Sequence, residues 1–543
     1  MTAAAATAVG EAGHPAIGPI EVVFALLLAA TGLALVARRI GVPYPILLVL
    51  GGLLLGFVPG LPRVELDPEL VFLLFLPPIL FAAGYFTSIR DFRANLRPIG
   101  LLAVGLVLFT TVVVAIVTKA LVPDLHWGAA FALGAIVAPP DAVAATAIFQ
   151  RLGVPRRVVT ILEGESLIND ATALVAYRFA VAAVLTGAFS IAEAATDFVV
   201  VAIGGVVVGL IVGRLVRWAT AKVDDPVFST VISFLAPIAA YLPAETIGVS
   251  GVLAAVVGGV VLGRSASTSF SSELRIASQS AWAVLLFLIN GLVFVLIGLQ
   301  LPIALEGLEE YSAADLAGLA LTVAGAVIVA RFVWVFPATY LPRWASARIR
   351  ERDPYPAVRN VFLVSWAGMR GVVSLAAALA LPLTLPSGEP FPERSLLIFL
   401  TFAVILATLV GQGLTLPLVI RGLGIARDSG LEGEEAHARL YLAEAALARM
   451  PSLERQWPGH GELIERLQAD YRHRAQHLDD ARRSTEPVTE AERELIEHRE
   501  IRQALIEAER EALLRLHDTG AVSDEVLRRV ERDLDLQELR MEV

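Results

Sequence analysis

The sequence predicts an all-α polytopic membrane protein, about 13 transmembrane helices followed by a charged α-helical tail, on three observations. Of 543 residues, 56% are hydrophobic and 18% charged, against roughly 45–50% and 25% in a soluble domain. Soluble cores stop growing beyond about 250–300 residues, so a chain this apolar needs a lipid phase. Apolar stretches close to the roughly 20 residues that cross a bilayer core recur through the first 420 positions. Charge is also segregated. Residues 421–543 hold 19 Arg, no Lys and 28 Asp plus Glu, a net of −9, while residues 1–420 carry a net of −1. The predicted division is therefore a membrane body, 1–420, and a charged helical tail, 421–543.

The same figures exclude other classes. A net charge of −10 leaves no basic face for nucleic acid. Cysteine is absent, which removes disulfides, thiolate metal sites and Cys nucleophiles. The first residues lack the basic n-region of a cleavable signal peptide. No HExxH occurs, and the acids lack a paired nucleophile or base, so an embedded hydrolase is disfavoured; no enzyme and no resident cofactor are expected.

In chain order the candidate spans are 19–37, 43–59, 68–87, 98–121, 127–150, 158–186, 192–215, 226–243, 248–263, 276–301, 314–341, 359–383 and 396–420. With the N-terminus outside, the inner loops carry 18 Lys and Arg, and the outer side only Arg63, Lys119 and Arg394. That is the positive-inside pattern. An odd number of spans then places the tail in the cytoplasm of a cell with this protein in its plasma (inner) membrane.

Charges at mid-membrane are costly, so they mark ion paths or internal pairs. The fifth span reads GAIVAPPDAVAATA. Pro139 and Pro140 remove two backbone donors and break the helix beside Asp141, which can also cap the second half. A broken helix at mid-depth exposes carbonyls and dipole ends suited to a cation. In the sixth span, GESLINDATALVAYR, Ser166 and Asp170 lie one turn apart on one face, with Glu163 two turns from Asp170 on nearly the same line. Together they offer hard oxygen ligands for a small monovalent cation, and the carboxylate can take a proton instead. Glu165 and Asn169 share another face. Arg331, at mid-depth of the eleventh span, needs a buried partner, and Glu165 is the candidate, as a structural pair. Arg370 in the twelfth span sits between Gly368 and Gly371, which weaken the helix or serve close packing. Arg178 lies toward the outer end of the sixth span and can snorkel. Spans 1–6 and 8–13 would run in opposite orientation about span 7, an inverted six-helix repeat with crossed broken helices.

At these residues the chain resembles the first family of monovalent cation:proton antiporters, which includes bacterial sodium/proton antiporters and the animal sodium/proton exchangers. The resemblance rests on FLPPILFAAGYF, GAIVAPPDAVAA, LEGESLINDATALV, INGLVFVLIGLQL and SWAGMRGVVSLA, spread across the body, with GESLIND the specific one. It implies that Asp170 alternates between cation and proton, that Asn169 completes the Asn-Asp pair, that Ser166 ligates the cation, and that Asp141 acts at the helix crossover. It also implies a structural pair of Glu165 with Arg331, a crossover charge at Arg370 and a cytoplasmic funnel past Glu163. An Asn before the Asp goes, in that family, with electroneutral one-for-one exchange. The implied assembly is a homodimer in the bilayer with an elevator-like core domain.

Two departures follow. Where members often carry an acid in the third span, this chain has Phe81, Ala82 and Ala83, which opens the choice among Na+, K+ and Li+. Where many have Thr before Asp141, it has Pro140, whose backbone carbonyl can still serve. Two other readings stay open: a cation channel or electrogenic exchanger on the same fold, and a membrane sensor or scaffold acting through its tail. The tail repeats Glu/Arg pairs at helical spacing over 432–449, 461–483, 489–517 and 523–538, with breaks expected at Pro451, Pro458, Pro487 and Gly520. It is read as a solvated helical bundle. It also holds six of the eight His, at 437, 460, 473, 477, 498 and 517, an alternative reading as a pH sensor.

Overall fold

The computed structural model describes residues 19–59, 66–187, 191–223, 225–425, 429–483, 490–519 and 521–542. Among them no β-strand occurs, only an isolated bridge between Thr384 and Pro390. The chain forms two compact units, Met1–Arg427 and Asp428–Val543.

In the first unit the helices are α1 (Pro19–Ile40), α2 (Tyr44–Gly56), α3 (Pro68–Phe86), α4 (Ile89–Ala94), α5 (Leu96–Leu121), α6 (Trp127–Val137), α7 (Ala142–Leu152) and α8 (Arg156–Thr186). They continue as α9 (Ile191–Thr220), α10 (Pro226–Thr246), α11 (Gly251–Ser269), α12 (Ser272–Leu299), α13 (Ala313–Ala345), α14 (Val358–Trp366), α15 (Val372–Leu379) and α16 (Arg394–Gly422). Among the described residues ten stretches are long and apolar enough to cross a membrane, with α6 and α7 counted together. Three of the expected spans differ. Those at 43–59 and 248–263 are shorter apolar helices, Tyr44–Gly56 and Gly251–Ala266. The one at 359–383 is two helices of 9 and 8 residues, α14 and α15, separated by Ala367–Gly371.

Side-chain caps start several helices. Asp225 accepts from Val227 N at 2.7 Å, Ser250 from Leu253 N at 3.1 Å and Ser271 from Leu274 N at 3.2 Å. Each satisfies a donor the helix cannot reach itself. Lipid gives helices no hydrophobic drive to pair, so close approach through small residues does that work. A Cβ on Gly298 would lie 2.2 Å from the Val49 carbonyl oxygen, clamping α12 on α2. One on Gly259 would lie 2.1 Å from the Phe81 carbonyl oxygen, clamping α11 on α3.

Two helices are broken in the middle of this unit. In the first, Pro139 and Pro140 separate α6 from α7. In the second, Gly368 and Gly371 flank the gap between α14 and α15. The long helices α8 and α13 pack beside the breaks and carry the charges that face them.

The second unit consists of α17 (Ser429–Gln456), α18 (Gly461–Arg483), α19 (Glu490–Asp518) and α20 (Asp524–Glu542). Its apolar contacts are thin: Leu440, Ala443 and Met450 on α17, and Ile506 and Leu513 of α19 against Leu534 of α20. Arg510 ties α19 to α20 through Asp535 at 2.7 Å and Glu538 at 2.9 Å. The break expected at Pro451 does not occur. α17 runs through it to Gln456, because one missing donor close to a helix end removes little. Pro458 opens a short turn before α18. Pro487 and Gly520 lie outside the described residues, as do Arg63 and the side chains of His477 and His498.

Candidate functional site: the crossing of two broken helices

The Pro139–Pro140 break ends α6 at Val137 and leaves its last carbonyls without helical partners. Asp141 restarts the chain as the N-cap of α7, its Oδ1 accepting from Val143 N at 2.8 Å. The two breaks meet at Asp141, whose backbone N–H donates to the Met369 carbonyl at 2.6 Å. A Cβ on Gly371 would sit 1.9 Å from Asp141 Oδ2, so only glycine fits where α15 begins. The Asp141 carboxylate therefore lies at the N-terminal ends of both half-helices, where helix dipoles favour negative charge.

Arg370 supplies the opposite charge at the opposite ends. It is fully buried, its Nε donating to the Val137 carbonyl at 3.0 Å and Nη2 to that of Ala138 at 3.4 Å. Nη1 donates to the Gly368 carbonyl. One guanidinium thus satisfies the carbonyls released by both breaks, favourable at a helix C-terminus. The Arg370 backbone N–H donates to Thr408 Oγ1 at 3.2 Å, within a π-helical stretch of α16, Ala407–Gln412.

The helix α8 passes beside this crossing with two carboxylates in different surroundings. Glu165 is fully buried and meets Arg331 of α13 in a bidentate pair, at 2.6 and 2.8 Å. Arg331 Nε also donates to the Val364 carbonyl of α14 at 3.0 Å, so the pair ties three helices together. Gly368 permits this approach, since a Cβ there would come within 2.7 Å of Arg331 Cδ.

Asp170 is 6% exposed, yet among the described residues its carboxylate takes part in no hydrogen bond or ion pair. Asp141 lies within electrostatic reach of it. Asn169 is fully buried and donates through Nδ2 to the Pro140 carbonyl at 2.8 Å, fastening α8 to the first break. Its Oδ1 is buried without a hydrogen-bond partner. Ser166 is half-buried one turn before Asp170, and Glu163, also half-buried, is nearly two turns before it.

The structure thus gathers Asp141, Pro140, Asn169, Asp170 and Arg370 at one crossing, with the Glu165–Arg331 pair beside them. Sequence reasoning missed the Met369 carbonyl and the carbonyls that hold Arg370, because backbone acceptors leave no mark in a sequence, and it missed Thr408, whose hydroxyl accepts from the Arg370 backbone across 38 residues. Arg178 is paired with Glu245 of α10, at 2.7 Å. Phe81 and Ala82 are buried in an apolar cluster, Phe81 stacked on Trp282 with ring centroids 5.9 Å apart. Among the described residues no three His, Asp or Glu side chains gather as for a resident divalent metal. The crossing instead offers one unengaged carboxylate, a second at the helix ends, and neutral oxygens, a donor set suited to a monovalent cation or a proton.

The family profile described as sodium/hydrogen exchanger, transmembrane, matches residues 23–422. A protein of Mycobacterium tuberculosis described as an uncharacterized Na+/H+ exchanger is 38% identical over 528 residues, covering 96% of each chain. The Escherichia coli protein described as the uncharacterized Na+/H+ exchanger YjcE is 34% identical over 547 residues, covering 95% of this chain and 97% of its own. A sodium, potassium, lithium and rubidium/H+ antiporter of Bacillus pumilus is 38% identical over 417 residues, covering 75% of this chain and 62% of its own. Among solved structures, the sodium proton antiporter MjNhaP1 of Methanocaldococcus jannaschii at pH 8 aligns with a TM-score of 0.59 at 19% identity, covering 74% of this chain and 98% of its own.

Proposed function

The chain belongs to the transmembrane sodium/hydrogen exchanger family, and from that premise we propose that it exchanges one monovalent cation for one proton at Asp170. The observation that carries this reading is the unengaged Asp170 carboxylate, nearly buried beside two crossed helix breaks. Leaving such a group without a donor is costly in a low-dielectric interior, and a bound cation or proton removes that cost.

Charge balance supports one-for-one, electroneutral exchange. With Asp141, Glu165 and Asp170 ionised against Arg331 and Arg370, the buried set sums to −1. One monovalent cation or one proton brings it to zero. The loaded site then passes the membrane interior neutral, whereas the empty site carries a net charge whose transfer is expensive. Cation and proton compete for the same carboxylate, so each leaves when the other binds, and no covalent step is needed.

In this reading Ser166 and Asp141 complete the cation site with Asp170. Asn169 contributes its unpartnered Oδ1 and holds the Pro140 carbonyl, whose second lone pair remains a ligand. Glu165 with Arg331 is structural, Arg370 neutralises the breaks, and Glu163 lines the approach from the cytoplasmic side. The apolar Phe81, Ala82 and Ala83 leave a site with one carboxylate fewer and weaker discrimination. Na+, K+ and Li+ are therefore all proposed substrates, in keeping with the name of the Bacillus pumilus antiporter.

The breaks at α6/α7 and α14/α15 are proposed as equivalent halves of an inverted repeat within 13 spans, working in a homodimer by elevator-type alternating access. The likeness of fold to a sodium proton antiporter supports this. For orientation, the N-terminus outside and the tail cytoplasmic are supported by Arg97 and Lys119 at opposite ends of α5, on the arginine-rich and arginine-poor sides.

Proteoliposomes holding a pH dye, given Na+, K+ and Li+ separately, test the proposal. The wild type should dequench the dye with no response to an imposed membrane potential, and Asp170→Asn should not dequench it. Exchange by that variant would overturn the assignment, and a response to potential would overturn electroneutrality.

A further inference from the structure

Away from the crossing, a second polar cluster sits where four helix ends reach one membrane face. Arg97 is the second residue of α5, Arg157 the second of α8, Arg343 lies in the last turn of α13, and Asn360 in the first turn of α14. Between α13 and α14, Asp353 accepts from all three arginines: Arg97 Nη2 at 2.6 Å, Arg343 Nη2 at 2.6 Å and Arg157 Nη2 at 2.5 Å. Three guanidinium groups around one carboxylate leave a local charge of +2.

Arg97, Arg157, Arg343 and Asn360 line the mouth of an open cleft with about 80 Å³ of internal space. Its walls are apolar, formed by Leu101, Leu102, Val158, Ile161, Val335 and Val361. It runs inward from the charged mouth toward Ile161 and Val335, one helical turn from Glu165 and Arg331 respectively. Two polar atoms of the lining residues are buried without any hydrogen-bond partner: Arg97 Nη1, a cationic donor, and Asn360 Oδ1, an acceptor. Trp344 stands three-quarters exposed next to Arg343, and Tyr340 and Tyr355 stack nearby with centroids 6.1 Å apart. Such aromatics mark headgroup depth.

We propose that this cleft binds an anionic phospholipid with a hydroxylated headgroup, of the phosphatidylglycerol kind. The phosphodiester answers the excess positive charge and the Arg97 donor, a headgroup hydroxyl donates to Asn360 Oδ1, and the start of one acyl chain lies on the apolar walls. Charge selects against zwitterionic headgroups, whose ammonium faces three arginines. The separate groove beside Arg93, Arg214, Arg217 and Arg264 serves as a control, because its arginines are all exposed and no buried orphan atom is found among its lining residues.

The test is lipid retention by the full-length protein, measured by native mass spectrometry and by thermal unfolding in detergent. The additives are phosphatidylglycerol, phosphatidylcholine or soluble glycerol 3-phosphate. Phosphatidylglycerol alone should be retained and raise the Tm. Arg97→Gln removes one charge-assisted hydrogen bond and should weaken retention about tenfold, while Arg214→Gln should leave it unchanged. Should Arg97→Gln fail to fold, Ala338→Phe fills the cleft without touching the ion cluster and should abolish retention. Equal retention of the two lipids, an equal loss in Arg214→Gln, full retention by Ala338→Phe, or a matching effect of glycerol 3-phosphate would each overturn the proposal.

Discussion

Glu165 and Asp170 stand five residues apart on the same helix, both buried, and the protein treats them in opposite ways. Glu165 has both oxygens filled by Arg331, in a bidentate pair that also reaches the Val364 carbonyl. Among the described residues Asp170 meets no protein donor, while the amide beside it fastens the Pro140 loop. A satisfied buried charge fixes geometry, and an unsatisfied one keeps its lone pairs for something that arrives and leaves. On this helix the chemistry of the two carboxylates differs only through their neighbours.

The largest expected effect breaks that contrast from the Asp170 side. Asp170→Asn is nearly isosteric and removes no protein hydrogen bond, so exchange should fall to background while the Tm stays close to wild type. Glu165→Ala should behave in the reverse sense. It strands a buried guanidinium, which costs about 3–5 kcal/mol, so yield and Tm should fall steeply. Adding Arg331→Met should restore much of that loss, because a well-packed apolar pair replaces a buried ion pair at little or no net cost. If Glu165→Ala kept its Tm but lost cation binding, Glu165 would belong with Asp170 and the contrast would be gone.

A smaller effect probes the crossing itself. Gly371→Ala places a methyl group where Asp141 Oδ2 now sits. The Asp141 carboxylate must move, and the half-saturation concentration for Na+ should rise several-fold with the maximal rate less affected. An unchanged half-saturation would separate Asp141 from the cation site.

How much of this was legible in the sequence depended on whether the signal sat in side chains. Pro139 and Pro140 point to a helix break with Asp141 as its cap, yet the same pair at Pro77 and Pro78 leaves α3 continuous behind a π-helical turn, so the prolines alone do not decide it. The second break was only half visible. Gly368 and Gly371 pointed to a weakened helix, but glycine in a membrane span is as often a packing contact, and nothing marked a five-residue gap. Arg331 and Glu165 could be matched because a buried charge demands an opposite one. Arg370 offered no such match, since its partners are carbonyls of Val137, Ala138 and Gly368. Asp353 is hidden in the sequence for a related reason: it sits among inner-loop arginines that orientation alone accounts for.

The smallest predicted effect contrasts the buried pair with the Asp353 cluster, which is partly open to solvent. Burial alone would raise the Asp353 pKa, but the hydrogen bonds and charges of Arg157 and Arg343 outweigh it and hold the carboxyl below the ordinary carboxylate value. A folded-state pKa below the unfolded one stabilises the fold at pH values above the unfolded pKa, near 4. That contribution is lost as pH falls through the depressed folded value. With Asp353 19% exposed and Arg157 45%, screening limits the effect to about 1 kcal/mol. The wild type should therefore lose its Tm advantage over Asp353→Asn below about pH 4 and keep it at pH 7. A Tm difference between wild type and Asp353→Asn that stayed constant from pH 7 to pH 3 would show that Asp353 acts through packing rather than charge.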